Sequence, residues 1–168
     1  MRNLKRITKL SAMCGLLCLS ALGVEASKTA QRTVTVTIHR VAEVDDLDKD
    51  FLIGDKPDFY AEMWIDGNYH KTANFSHSDG RPYWTFSAPA NGSVADIRIR
   101  LWDDDGALEG KDDHVDINPM AGEKDLNLRF NTATGTLMNN TYAVVGSQFL
   151  YSQGGGEKGK AQIWFTIN

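Results

Sequence analysis

The sequence predicts an all-β protein, folded as an antiparallel eight-stranded β-sandwich. Short segments alternate apolar and polar residues with the two-residue period of a strand that faces a core on one side. Turn residues separate these segments, and no stretch has the 3.6-residue period of an amphipathic helix. With 168 residues, 42% hydrophobic and 24% charged, the chain is long enough for one packed domain and too apolar for a disordered one.

The first residues have the pattern of a secretory signal. Four basic residues precede a mostly apolar run, Leu10–Gly23, which is too short to span a bilayer. A small residue, Ala26, then stands at the position expected before a cleavage site. We therefore expect residues 1–26 to be a signal peptide and residues 27–168 to form a single domain of a secreted or periplasmic protein. Both cysteines lie within the signal, so the exported domain has none to form a disulfide.

The first strands are defined by clean alternation. Thr33–Val41 places valine and isoleucine on one face and threonine on the other. Phe59–Asp66 alternates in the same way, and Gly67-Asn68 is typical of a hairpin turn. Tyr69–Phe75 is then predicted as the return strand.

The second half of the chain continues the pattern with shorter segments. Alternation predicts five further strands: Pro82–Ser87, Val94–Trp102, Val115–Ile117, Leu126–Phe130 and Ala161–Ile167. Thr141–Ser152 has no clear period and is left between strand and short helix. Neither an internal repeat nor a linker interrupts the series, which favours one sandwich domain.

The charge of the chain is unevenly distributed. The formal net charge is −4, and it becomes −7 without the first 26 residues. Fourteen of the acidic residues fall in two segments, residues 42–58 and residues 103–116. An acidic chain of this kind is a poor partner for nucleic acid, which requires a basic surface.

The two acidic segments connect predicted strands, and we expect them to emerge at the same end of the sandwich. Carboxylates gathered there would repel one another unless a cation lies between them. A hard cation with oxygen ligands suits such loops, and Ca²⁺ accepts six to eight oxygen ligands in irregular geometry. Zinc would favour cysteine or clustered histidine, and after residue 26 the chain has only four scattered histidines.

Several motifs together resemble the C2 domain family. Ile99–Asp105 runs from a strand into Asp-x-Asp, with further aspartates in Lys111–Val115, as in the third calcium-binding loop of that family. Asp58–Trp64 resembles the Asp-Pro-Tyr-Val strand start that closes the first loop, with Phe59 in place of proline. Pro82–Phe86 and Gly159–Ile167 resemble two further strands, so the resemblance covers most of residues 33–168.

The resemblance implies calcium as the cofactor and aspartates as its ligands. Carried over residue by residue, it implies these candidate metal ligands: Asp48, Asp50, Asp58, Asp103, Asp105, Asp112 and Asp113. The first acidic connection is longer than usual, so either Asp48 or Asp50 takes the first-loop position. The third loop is also slightly longer, so either Asp112 or Asp113 takes its last position.

The resemblance implies a binding module and not an enzyme. In the C2 family, bound calcium bridges the loops to anionic phospholipid, so we expect an anionic lipid or another anionic ligand, with peripheral membrane contact. No Gly-x-Ser-x-Gly or Cys/His arrangement typical of a catalytic nucleophile occurs after residue 26. Gly154–Ala161 has the spacing of a phosphate-binding loop but precedes a strand, and is interpreted as a turn.

Two alternatives remain open at this point. Trp64, Trp102 and Trp164 fall on the polar side of their strands, where they would form a carbohydrate-binding platform on a calcium-stabilised sandwich. The other alternative is a structural protein of the cell envelope in which calcium only stiffens the fold.

Overall fold

A computed structural model of the chain describes residues 31–45, 47, 56–106, 111–138, 144–145 and 149–168. Within these residues the strands form two sheets in which all strand pairs are antiparallel. The predicted all-β sandwich is therefore confirmed. The described part contains thirteen strands rather than eight, because several segments of two to four residues pair in addition to the long ones. No helix of the described residues is long and apolar enough to cross a membrane.

The first sheet is built around the first and last strands of the domain. Its members are β1 (Thr33–Glu43), β5 (Asp79–Gly80), β6 (Trp84–Pro89), β11 (Val144–Val145), β12 (Leu150–Gln153) and β13 (Ala161–Ile167). Their order is β11-β12-β13-β1, and the long β1 pairs on its other edge with both β5 and β6.

The second sheet contains the strands that border both acidic segments. Its members are β2 (Asp58–Ile65), β3 (Asn68–Lys71), β4 (Phe75–Ser76), β7 (Val94–Asp103), β8 (Asp113–Val115), β9 (Leu126–Asn131) and β10 (Thr136–Leu137). Their order is β10-β9-β7-β2-β3, with β4 also on β2 and β8 also on β7.

Alternation explains why these segments form strands. In β7 the side chains of Ile97, Ile99 and Leu101 are buried, and the residues between them are partly or fully exposed. The inward side chains of the two sheets form one core, in which Phe59 and Phe165 are the largest fully buried residues. Burying an alternating face in this way is the main stabilising term of a sandwich.

The hairpin after β2 differs from the prediction by one residue. The turn is Asp66-Gly67, with φ of 48° and 83°, and not Gly67-Asn68. A two-residue turn of this type requires positive φ at both central residues, which aspartate and glycine tolerate. The Asp66 carboxylate then accepts the N–H groups of Asn91 and Asp96, at 2.7 and 2.8 Å, which fixes the turn against the next connection.

Two predicted strands have different bounds. The segment Tyr69–Phe75 is divided into β3 and β4, because Thr72 leaves the ladder and its hydroxyl accepts the N–H of Ala61. The strand predicted over Val115–Ile117 begins and ends earlier, as β8. Asp116 instead forms a bridge with Lys160, which directly precedes β13 of the other sheet. The predicted signal peptide lies outside the described residues.

Candidate metal centre

Strand pairing brings the edges of both acidic segments together. β2 begins at Asp58 and β7 ends at Asp103, and Phe59 pairs with Asp103 in the antiparallel register. On the other side of β7, Asp103 pairs with Asp113 at the start of β8. The beginning of β2, the end of β7 and the beginning of β8 thus lie at one end of the sheet. We call this end, with Asp58, Asp103–Asp105 and Asp112–Asp113, the acidic tip.

Asp58 and Asp103 are in direct contact at the acidic tip. The backbone N–H of Asp58 donates to Oδ1 of Asp103 at 2.7 Å, and the N–H of Asp104 donates to the Asp58 carbonyl at 3.1 Å. Asp103 is only 2% exposed. A buried carboxylate is costly unless it is hydrogen-bonded or paired, so this backbone donor stabilises it and fixes its orientation.

Two further side chains hold acids of the tip in place. The hydroxyl of Tyr60 donates to Oδ2 of Asp112 at 2.6 Å. Burial of the phenol, and then this bond to a carboxylate, raise the pKa of Tyr60, so the proton stays on the hydroxyl. Asp104 accepts hydrogen bonds from the side-chain amide of Asn74 and, at 3.0 Å, from the N–H of Gly106.

The chemistry of this donor set suits a hard cation. Every acid of the tip offers carboxylate oxygen, which Ca²⁺ prefers over nitrogen or sulfur ligands. Asp105 is half-buried and Asp113 is exposed. In the described part of the chain, however, no three His, Cys, Asp or Glu side chains are close enough to hold a metal ion. Asp48 and Asp50, the candidate first-loop ligands, lie outside the described residues.

Two other acids of these segments are bound elsewhere. Asp45 accepts the backbone N–H of Lys160 at 2.5 Å and lies 3.8 Å from its ammonium nitrogen. Asp116 is 2% exposed, and its carboxylate accepts the N–H groups of Asn118 and Gly156 at 2.9 and 2.8 Å. Sequence clustering alone therefore overstates the number of carboxylates available at the tip, because these two anchor the chain.

The glycine-rich segment forms the cradle around Asp116. A Cβ atom on Gly154 would lie 2.3 Å from the Asp116 carbonyl oxygen, and one on Gly155 would lie 2.1 Å from that of Pro119. Contacts this short require glycine. The segment is a tightly packed structural turn, and its resemblance to a phosphate-binding loop is one of spacing only.

An ion-pair network lies behind the acidic tip on the outer face of the second sheet. Asp125 accepts hydrogen bonds from Arg100 and His114, each at 2.8 Å. Burial alone would raise the pKa of Asp125, but the His114 and Arg100 hydrogen bonds outweigh it and hold that pKa well below its usual range. Glu62 joins the network by accepting the indole N–H of Trp102 at 2.8 Å. Because Trp102 and His114 directly adjoin the strand ends at the tip, this network supports them.

The sequence did not single out this network or the positioning residue Tyr60. Arg100 and Glu62 were visible as outward residues on neighbouring strands, but their register with Asp125 becomes apparent only in the folded sheet. Tyr60 lies two residues after Asp58, on the outward side of the same strand. That spacing was the available signal.

The three outward tryptophans are each contacted by a cationic or aromatic side chain. The Arg98 guanidinium lies 3.7 Å from the centre of the Trp64 ring, and that of Arg40 lies 4.3 Å from the Trp164 ring. The Trp102 ring lies 4.8 Å from the ring of His114. At least one face of Trp64 and one of Trp164 is therefore occupied by a guanidinium, which reduces the flat surface available to a sugar.

Comparison with solved structures identifies the fold. The two calcium-bound C2 domains of extended synaptotagmin 2 superpose with a TM-score of 0.53 and 11% identity, over 82% of this chain and 45% of that chain. An isolated C2 domain is similar over 81% of this chain and 97% of its own, with a TM-score of 0.48 and 11% identity. Human GIVD cytosolic phospholipase A2 is similar over 80% of this chain and only 16% of its own, with a TM-score of 0.48 and 13% identity.

The sandwich is thus C2-like, as the sequence motifs indicated. The chain corresponds to less than half of the extended synaptotagmin and to about a sixth of the phospholipase. No protein-family model matches the chain, and neither does any curated protein.

Proposed function

We propose that the protein is a secreted or periplasmic calcium-binding module, without enzymatic activity, whose acidic tip binds an anionic ligand through calcium. An anionic phospholipid headgroup is the ligand that a C2-like fold favours. The proposal includes the expected cleavage after Ala26 and the participation of Asp48 or Asp50 as the first-loop ligand.

One observation carries the proposal: Asp58 and Asp103, from two distant parts of the chain, are joined by a 2.7 Å hydrogen bond at the tip. The fold places Asp105, Asp112 and Asp113 beside them in sequence and strand order. These are the positions that the C2 resemblance implied as ligands. The first-loop connection returns to the same end because it re-enters the sheet at Asp58.

Calcium at this tip would neutralise the carboxylates and order the two acidic connections. Extracellular modules of this kind bind calcium with a Kd on the order of 10⁻⁴ M. At ten times that concentration, binding stabilises the folded state by about 1.4 kcal/mol. Coordination positions not filled by the protein then accept an anionic oxygen from the ligand.

Co-sedimentation with vesicles tests this function. The purified protein is mixed with vesicles of phosphatidylserine and phosphatidylcholine, or of phosphatidylcholine alone, with calcium or with chelator. We expect sedimentation only with phosphatidylserine and calcium. The double variant Asp103→Asn plus Asp105→Asn should remain in the supernatant.

Asp96→Asn is the matched control, because Asp96 lies at the opposite end of the same strand and its exposed carboxylate pairs only weakly with Arg129. This variant should sediment like the parent. Sedimentation that ignores chelator, or that survives in the double variant, contradicts the proposal. Retention on polysaccharide that is lost in Trp64→Ala or Trp164→Ala would instead support the carbohydrate-binding alternative. Calcium-dependent stabilisation with neither ligand would support the structural one.

A further inference from the structure

A cavity of about 410 Å³ opens on the outer face of the first sheet, away from the acidic tip. It is lined by His39, Arg40, Arg81, Tyr83, Phe149 and Trp164. The lining combines four aromatic rings with two guanidinium groups. Its volume lies in the range of small-molecule sites, which are typically apolar with a few polar groups that fix orientation.

A β-bulge in β1 builds one wall of this cavity. The register of β1 against β13 shifts between Ile38 and Arg40, so His39 and Arg40 both lie on the outer, half-buried side. Without the extra residue, the alternation would turn one of them toward the core. Bulges of this kind re-aim side chains and are enriched beside functional sites.

Tyr83 forms the opposite wall in a conformation that is rare for its type. Its φ is +53°, in the left-handed region that disfavours a bulky side chain, and the residue is 57% exposed. The Tyr83 ring stands perpendicular to that of His39, with centroids 6.0 Å apart. Phe149, 37% exposed, lies 4.7 Å from the same histidine ring. The strained backbone thus presents an exposed ring over the cavity and buries none of it in the core.

The two guanidinium groups of the cavity differ in what already binds them. Arg40 is held by hydrogen bonds to Asp79 and stacks over the Trp164 ring at 4.3 Å. Arg81 is exposed and adds to the positive charge that lowers the pKa of Asp79. Within the described part of the chain, however, it makes no hydrogen bond or close ion pair. A planar guanidinium beside exposed rings suits a ligand that joins a carboxylate to a ring.

We propose that this cavity binds a small ring-bearing monocarboxylate, with its carboxylate on Arg81 and its ring between Tyr83 and Phe149. Ring stacking on aromatic side chains and a bidentate carboxylate–arginine pair supply the two contacts. This chemistry has two sources, a sugar acid or an aromatic acid. The site shares no residue with the acidic tip and requires no calcium, so it stands or falls independently of the proposed function.

Calorimetric titration of the purified protein in chelator tests the proposal and separates the sources. D-glucuronate represents the sugar acid and benzoate the aromatic acid. Glucose and benzyl alcohol are the matched neutral probes. We expect at least one acid to bind, about tenfold or more tighter than its neutral analogue, since a tenfold change corresponds to a single modest polar contact. Binding of glucuronate alone assigns the site to sugar acids, and binding of benzoate alone to aromatic acids.

Variants of the two walls locate the binding. Arg81→Gln should weaken the acid about tenfold or more, while Arg129→Gln, the same change on the other sheet, should leave its affinity unchanged. Tyr83→Gly removes the ring and also relieves the positive φ. It should therefore weaken binding while the Tm stays within about 2 °C of the parent or rises.

Tyr83→Ala removes the ring without relieving the backbone and should weaken binding similarly. Three results would overturn the proposal. The first is no binding heat from either acid at about 10 mM, a concentration that saturates even a weak specific site. The second is equal affinity for the acids and their neutral analogues. The third is acid binding that Arg81→Gln and Tyr83→Ala leave unchanged.

Discussion

The packed glycine turn provides a stability prediction of defined size. In Gly155→Ala the added Cβ would lie 2.1 Å from the Pro119 carbonyl oxygen, whereas real Cβ contacts are essentially never below 3.0 Å. Backbone must therefore shift by about 1 Å, at an overpacking cost of about 1–3 kcal/mol. The N–H of Gly155 donates to the Asn118 carbonyl at 2.8 Å, and disturbing that bond costs about 1 kcal/mol more.

We therefore expect Gly155→Ala to lower the free energy of unfolding by about 2–4 kcal/mol, or the Tm by about 5–15 °C for a domain of this size. Urea denaturation at pH 7 measures it. Gly92→Ala is the matched control, because nothing lies within 4 Å of the added Cβ and Gly92 has no positive φ. That variant should be neutral or slightly stabilised. If the two variants unfold at the same urea concentration, the segment is a loose turn and our reasoning is wrong.

Three further predictions concern the network, the tip and the hairpin. Asp125→Asn should lose about 1.5–3 kcal/mol at pH 7, where Arg100 and His114 lose a charged acceptor. Because folding lowers the pKa of Asp125, its contribution exists above the unfolded pKa of about 4 and is lost as the pH falls below it, so the parent and variant unfolding curves should converge toward acid. Tyr60→Phe should weaken calcium binding about tenfold by freeing Asp112, as measured by calcium titration. Gly67→Ala should lower the Tm by a few degrees, about 1 kcal/mol, because φ is +83° there.

Much of the fold was predictable because its long strands alternate. β2, β7 and β13 bury one face almost completely, and a period of two over seven or more residues is an unambiguous signal. β5 and β10 were missed, since two residues carry no period. The β1 bulge was equally invisible. Its extra residue lies between two ordinary alternating halves, and only the partner strand reveals the shift.

The candidate site was predictable in its ends and not in its interior. Aspartates at strand termini, such as Asp58 and Asp103, are placed by the register of β2 and β7, which the hydrophobic pattern fixes. Asp116 has the same sequence appearance but is buried in the glycine cradle, because its neighbour Gly156 comes from a different part of the chain. Charge density along the chain does not distinguish a tip carboxylate from an anchored one.

Calcium titration by calorimetry tests the central claim most directly. The parent protein and Asp96→Asn should each give a saturable heat with a Kd on the order of 10⁻⁴ M. Asp103→Asn plus Asp105→Asn should give none, and chelator should lower the Tm of the parent but not that of the double variant. Heats that are unchanged in the double variant, or a folded parent whose Tm ignores both calcium and chelator, would contradict a calcium site at the acidic tip.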